Sequence, residues 1–239
     1  IFVDDSTFVK PPFAAFLVPG FPLGSDEFGR DIFSRLLWGV KPTLILVLVT
    51  AALRLIAGTV IGIITGWSNN WKSSLLNSLI SLSGALPTLF IALCVIAATG
   101  QKLGILAFIL GLSITGWGDA ARLIRDQTRV IRSQLFIEAS QALGSTGPQM
   151  LGTHLLPQIM PSVWMMLAFE VSSSLLVTAQ LGVLGYFINA VWVPIGDFVG
   201  LRASGLPELS QMLGNLQGQP WGALGAGLII FITILGFNL

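Results

Sequence analysis

Two charged residues lie where the sequence is otherwise apolar: Arg54 within TLILVLVTAALRLIAGTVIGIITG, residues 43 to 66, and Glu170 within the stretch from Ser162 to Leu184. A central Arg or acid in a lipid-crossing helix costs roughly 2.5 to 3.5 kcal/mol on insertion scales, so each is expected to face protein or water and a counter-charge. Two readings fit them. They form an ion pair that fixes helix register, or they line a polar path through a helix bundle. On the same first stretch Gly58, Gly62 and Gly66 recur every four residues, a smooth stripe on which another helix can approach closely. Packing is the plain role of that stripe, and lining a substrate cavity is the alternative.

Arg122, Arg125, Arg129 and Arg132 recur at spacings of three, four and three, which places them on one helical face. Such a face anchors to an anionic interface or meets a soluble partner, with Asp126 placed to pair with Arg122 and Arg129. His154 is the single histidine and Cys94 the single cysteine, too few soft ligands for a zinc site, and one cysteine makes no internal disulfide. No metal site is expected. His154 is expected to cap or pad a polar loop, and Cys94 to be a small buried apolar group. The chain has no G-x-S-x-G or H-E-x-x-H motif and no G-x-x-x-x-G-K-[ST] loop, which argues against an intramembrane enzyme and against ATP hydrolysis by this chain.

The elements that hold these residues follow from composition. Of 239 residues, 54% are hydrophobic and 10% charged, with a mean hydropathy of +0.84; a soluble domain carries roughly 25% charged residues. The net charge of +1 offers no basic surface for nucleic acid. Residues 1 to 42 hold nine of the 23 charges among prolines and glycines and are expected to be aqueous. Five apolar runs follow: Thr43 to Gly66, about Leu75 to Thr99, about Leu103 to Ile124, Ser162 to Leu184 and Ala223 to Leu239. Since about 20 helical residues cross a bilayer core, the expected fold is all-α, a polytopic membrane helical bundle with five visible spans. Gly100 to Gly104 forces a tight hairpin between the second and third. All seven tryptophans fall at or just beyond an expected span end, where an amphipathic ring prefers the headgroup layer. Lys and Arg divide six against five between the two sides, which leaves orientation open.

The polar stretch FIEASQALGSTGPQMLGTHLLPQIMP, residues 136 to 161, has helix character up to Leu143. Gly144 can end that piece and Pro148 can start a second short helical patch ending at Pro157. The result is a short helix turned across the span axis, suited to docking in a partner's groove.

Within that stretch Glu138-Ala139-Ser140, then Gly144, then Leu156-Pro157 resembles the EAA loop of binding-protein-dependent ABC importer permeases. Ser140 replaces the second alanine of that pattern, and His154 stands at its isoleucine. PLGSDEFGRDIFSRLLWG (Pro22 to Gly39), LGVLGYF (Leu181 to Phe187) and PWGALGAGLIIFITILGFNL (Pro220 to Leu239) are similar to permeases of the dipeptide/oligopeptide/nickel group. The stretch Ser68 to Ser74 lacks an acidic residue that the family often places there, and Tyr186 to Gln219 is longer than usual.

This resemblance implies the type I ABC importer transmembrane fold with six spans, the first of them missing here. Residues 1 to 42 would be an extracytoplasmic segment, residues 43 to 239 the transmembrane domain, and the loop from Asp119 to Pro161 cytoplasmic. The cross-helix at about Gln141 to Thr153 would be a coupling helix, with Glu138, Ala139, Gly144, Leu156 and Pro157 as the ATPase-docking positions. The implied function is a permease subunit in the cytoplasmic membrane of a prokaryote, moving peptides or a related small solute by ATP-driven alternating access. The implied partners are a second homologous permease, two ATP-binding subunits that hold ATP and Mg, an extracytoplasmic solute-binding protein and membrane lipid. This chain itself binds no cofactor in that reading. An ATP-independent channel or secondary carrier, with Arg54 and Glu170 as its relay, is the alternative, and a scaffold that has lost transport is a further one. The chain opens on Ile1 and closes inside an apolar run, as a piece of a longer protein would.

Overall fold

The computed structural model describes residues 2–4, 7–8, 11–99, 103–188, 190–194, 200–204 and 206–239, with side chains described outside the four short strands. Lys10, Lys102 and most of the expected hairpin at Gly100 to Gly104 lie outside the described residues, as do the side chains of Trp192 and Arg202. Two antiparallel ribbons, β1 (Phe2–Asp4) with β2 (Thr7–Phe8) and β3 (Ala190–Pro194) with β4 (Gly200–Ser204), are the strands among the described residues. The rest of the regular structure is helical.

The first helix, α1, covers Ile32–Trp67 and starts eleven residues before the expected span. Asp31 opens it, its carboxylate accepting the Ser34 N–H at 2.7 Å, the bond an N-cap makes. Hydropathy marked only the lipid-crossing part of a helix about 54 Å long at 1.5 Å per residue. The second expected span is two helices, α2 (Trp71–Ala85) and α3 (Thr88–Thr99), bent by 88°. Pro87 cannot donate a backbone N–H and pushes Leu86 into extended geometry, φ −87° and ψ 125°. The third is broken as well, into α4 (Ile105–Ile114) and α5 (Trp117–Arg132). At the break Gly116 has φ +92°, a conformation a side chain disfavours.

After α6 (Leu135–Ala142), the chain re-enters a helix as α7 (Gly147–Met150), passes through a π-helical turn at Leu151–Leu155 and continues as α8 (Leu156–Val183). The helical patch expected to end at Pro157 runs on past it, and the expected short cross-helix at about Gln141 to Thr153 is therefore not a separate element. Its first part belongs to α6, and its second opens a continuous 37-residue helix that carries Pro161 inside. The π turn is the reason Pro157 does not stop it, since the local ladder is already shifted where the proline N–H would be needed. α9 (Leu209–Gly214) and α10 (Pro220–Asn238) complete the chain. α1, the Gly147–Val183 run and α10 are long and apolar enough to cross a membrane, and α2 with α3 makes a fourth if the bent pair counts as one. α4 at ten residues is short of a crossing alone.

The described residues pack as two compact units. In one, made of residues 1–48, 96–108 and 172–239, α10 lies against the start of α1, with Gly225 close to the Leu36 side chain. α9 presses its backbone on Gly182 near the end of α8, and Leu46, Val47 and Ala226 are fully enclosed. In the other, residues 49–95 and 109–171, a cluster of Ile124, Ile131, Leu155 and Ile159 joins Ile63 and Trp67. On the outside α10 leaves Leu224, Leu228, Phe231 and Ile232 more than half exposed, a face suited to lipid as solvent. Trp67, Trp71, Trp117 and Trp221 stand at helix ends, whereas Trp38 and Trp164 lie inside helices that run past the expected boundaries.

Candidate functional site

Arg54 and Glu170 meet: Arg54 Nη1 lies 3.3 Å from Glu170 Oε2, with the two residues 1% and 4% exposed. The guanidinium does a second thing. Its Nε–H donates to the Leu112 carbonyl at 2.8 Å, an oxygen in the last turn of α4 that would have accepted the N–H of residue 116 had the helix continued. The Trp117 indole N–H takes the Ile114 carbonyl in the same way, at 2.9 Å. Gly116 is needed there twice over, for its positive φ and because a Cβ would sit 2.5 Å from Arg54 Cζ. The broken third span is thus closed by a charged side chain whose counter-charge comes from α8, and irregular backbone at membrane depth persists only where such partners exist.

One turn further along α1, the glycine stripe receives α5. A Cβ on Gly58 would lie 2.8 Å from the Trp117 carbonyl, one on Gly62 2.7 Å from that of Ala121, and one on Gly66 2.6 Å from that of Arg125. The opposing face of α5 is buried through Ala120, Ala121, Ile124 and Thr128. The four arginines follow along the adjoining face. Asp126 pairs with Arg125, at 2.8 Å, rather than with Arg122 or Arg129; Arg122 has Asp119 at 3.8 Å, and Arg125 also donates to Asn77 on α2 at 3.1 Å. The Arg125 guanidinium thus joins its sequence neighbour Asp126 to Asn77 of α2.

The 136–161 segment is a helical corner. α6 is anchored by Ile137, fully buried, and ends in a reciprocal pair of bonds, Ser145 N–H to the Ser140 carbonyl (3.1 Å) and Gly144 N–H to the Gln141 carbonyl (2.9 Å). This is the Schellman arrangement, and Gly144 supplies its left-handed residue with φ +88°. Pro148 occupies the first turn of the next helix. Leu155 and Ile159 point into the core, while Glu138, Ala139, Gly144, Leu156 and Pro157 are all exposed. Leu135 and Leu143 add an apolar surface beside them, 81% and 87% exposed. His154 rests edge-on against Phe136, ring centroids 5.7 Å apart. The corner is thus anchored from within and carries an uncovered rim that is polar and apolar by turns.

Residues 58–239 match the family model described as "Binding-protein-dependent transport system inner membrane component". The chain belongs to this family. This permease is 27% identical over 215 residues to the oligopeptide transport system permease protein OppC of Bacillus subtilis, covering 90% of the chain and 67% of that relative. It is 28% identical to the dipeptide transport system permease protein DppC of Alkalihalophilus pseudofirmus, with 90% and 67% covered, and to the glutathione transport system permease protein GsiD of Pectobacterium atrosepticum, with 91% and 68% covered. The permease thus spans about two thirds of the length of these relatives. Among solved structures, an inward-facing form of the MetNI methionine ABC transporter superposes with a TM-score of 0.65 at 17% identity, covering 87% of the permease and 93% of that chain. The fold is that of type I ABC importer membrane domains, and the permease is an inner-membrane transport subunit.

Sequence reasoning located most of the groups that the permease brings together, but it missed three things. Leu112, an apolar residue, contributes through its carbonyl, and no side-chain pattern signals that. Gly116 was readable only as one glycine among 27. Cys94, expected to be buried, is exposed on α3, because in lipid an apolar side chain need not be inside the protein to escape water.

Proposed function

We propose that this permease works as one of two homologous subunits of a peptide importer, with two ATP-binding subunits docked at 136–161 and a solute-binding protein facing residues 1–42 and 186–219. The observation that carries the docking surface is the exposure of Glu138, Ala139, Gly144, Leu156 and Pro157 around a corner fixed by buried Ile137 and Leu155. Such a corner transmits force, since a push on it moves α8 and the Ile124 cluster as a packed body. The ATPases hold ATP and Mg and close on them; the permease converts that closure into alternating access and breaks no bond. A peptide-like solute is supported by the oligopeptide, dipeptide and glutathione systems that the relatives are named for.

Arg54 and Glu170 act in this reading as a brace for the broken third span, since the guanidinium is engaged on both sides and enclosed. The Gly58, Gly62 and Gly66 stripe is packing surface for α5, not cavity wall.

The docking reading is tested by a cysteine at position 144, G144C in a C94S background because Cys94 is itself exposed. Co-expressed with its ATPase subunit, this variant is expected to crosslink through a short bifunctional reagent, and to do so differently with and without ATP. Absence of any crosslink in every nucleotide state, with the complex intact, overturns the assignment.

A further inference from the structure

We propose that the groove beside the first turns of α1 binds one anionic glycerophospholipid, with the phosphate at Lys41 and an acyl chain along Pro42 and Ile45. The groove has a volume of about 550 Å³. Its floor is a single stripe of α1, in which Trp38, Lys41, Pro42 and Ile45 follow at helical spacing and so share one face. Polarity changes along that stripe from charged Lys41 to apolar Ile45 within about one turn, roughly 6 Å. Leu206 and Pro207 form the facing apolar wall.

The charges settle which headgroup fits. Asp26, nearly fully buried, holds both arginines of the polar end, Arg30 at 2.6 Å and Arg35 at 3.7 Å. Asp31 is engaged as the cap of α1. Lys41 is exposed and has no ion pair among the described residues, and with Arg30, Arg35 and Lys41 set against Asp26 and Asp31 the polar end keeps a net charge of +1, with Lys41 the cation nearest the apolar end and beside Trp38, itself 70% exposed. An amphipathic ring beside a cation at the end of a lipid-crossing stretch marks headgroup depth. One phosphodiester matches the one spare charge. Ile45 and Leu206, each about half exposed, then gain cover from hydrocarbon, which a free phosphate ion would not provide.

The test uses the permease purified with its accompanying subunits and equilibrated with vesicles of phosphatidylglycerol or of phosphatidylcholine, followed by native mass spectrometry. The wild-type complex is expected to retain one more phosphatidylglycerol per copy of this chain than the K41E complex, whose retained fraction falls at least tenfold. K41R keeps the lipid, and K72E, a charge reversal at another exposed lysine, leaves retention unchanged. K41Q serves if K41E does not assemble, and is expected to lose the lipid as well. Equal retention of the two lipids, or unchanged retention in K41E or K41Q, overturns the proposal. So does displacement of the bound lipid by glycerol phosphate alone, which would assign the site to a soluble phosphate.

Discussion

Arg54 carries two obligations, a counter-charge and an orphaned carbonyl, so its removal and that of Glu170 are not equivalent. Replacing Arg54 by Leu leaves a buried carboxylate and exposes the Leu112 carbonyl to an apolar surrounding, whereas Glu170→Gln keeps a hydrogen-bond acceptor at the guanidinium. Breaking a buried pair by deleting one partner costs about 3 to 5 kcal/mol. We expect R54L to lower thermal stability in detergent most, E170L somewhat less and E170Q least. The double variant R54L/E170L is expected to be less damaged than the sum of its singles; additive losses would show that the two do not act as a pair. The two charges stand out in the sequence because nothing polar surrounds them, and that isolation is what made them legible. The partner Leu112 was illegible, because a backbone carbonyl becomes a functional group only when the helix above it stops.

Among the elements, the contact of α1 with α5 depends on the absence of side chains at three positions. At Gly62 the nearest atoms to an added Cβ are the Ala121 carbonyl at 2.7 Å and Ile124 Cβ at 2.9 Å, part of a helix backbone that cannot swing aside. G62A is expected to cost about 1 to 3 kcal/mol, as overpacking does. G236A, at an exposed position of α10 where a Cβ meets nothing within 4 Å, is expected to be neutral or to stabilise by a few tenths to about 1 kcal/mol. Thermal unfolding of the two variants side by side checks this, and equal effects would mean that the stripe is not a contact surface. The four-residue period of Gly58, Gly62 and Gly66 announced a packing face but not its occupant. Helix ends were legible where proline or glycine punctuates, at Pro148 and Gly144, and misleading at Pro157, which the shifted ladder of the Leu151–Leu155 turn accommodates. The two hairpins escaped because their strands are two to five residues long, too short for an alternating pattern to declare itself.

For the molecule as a whole, proteoliposomes provide the test of the proposed importer. Reconstituted with its partner permease and ATPases, the permease is expected to take up peptide only when both ATP and the solute-binding protein are present; uptake unchanged without ATP would instead mark a channel or secondary carrier. The low charge of the chain and its apolar runs determined by themselves that lipid is the solvent, and the ordered motifs from Pro22 to Leu239 determined the family. These are properties of composition and order along the chain, which need no neighbour in space to be expressed. Only the tertiary structure decided where the spans break, that Arg54 closes one of those breaks with Glu170, and that Lys41 stands beside an apolar groove with no ion pair among the described residues. Each of these depends on which groups from distant parts of the chain share a few ångströms, and burial sets the cost of leaving any of them unpaired.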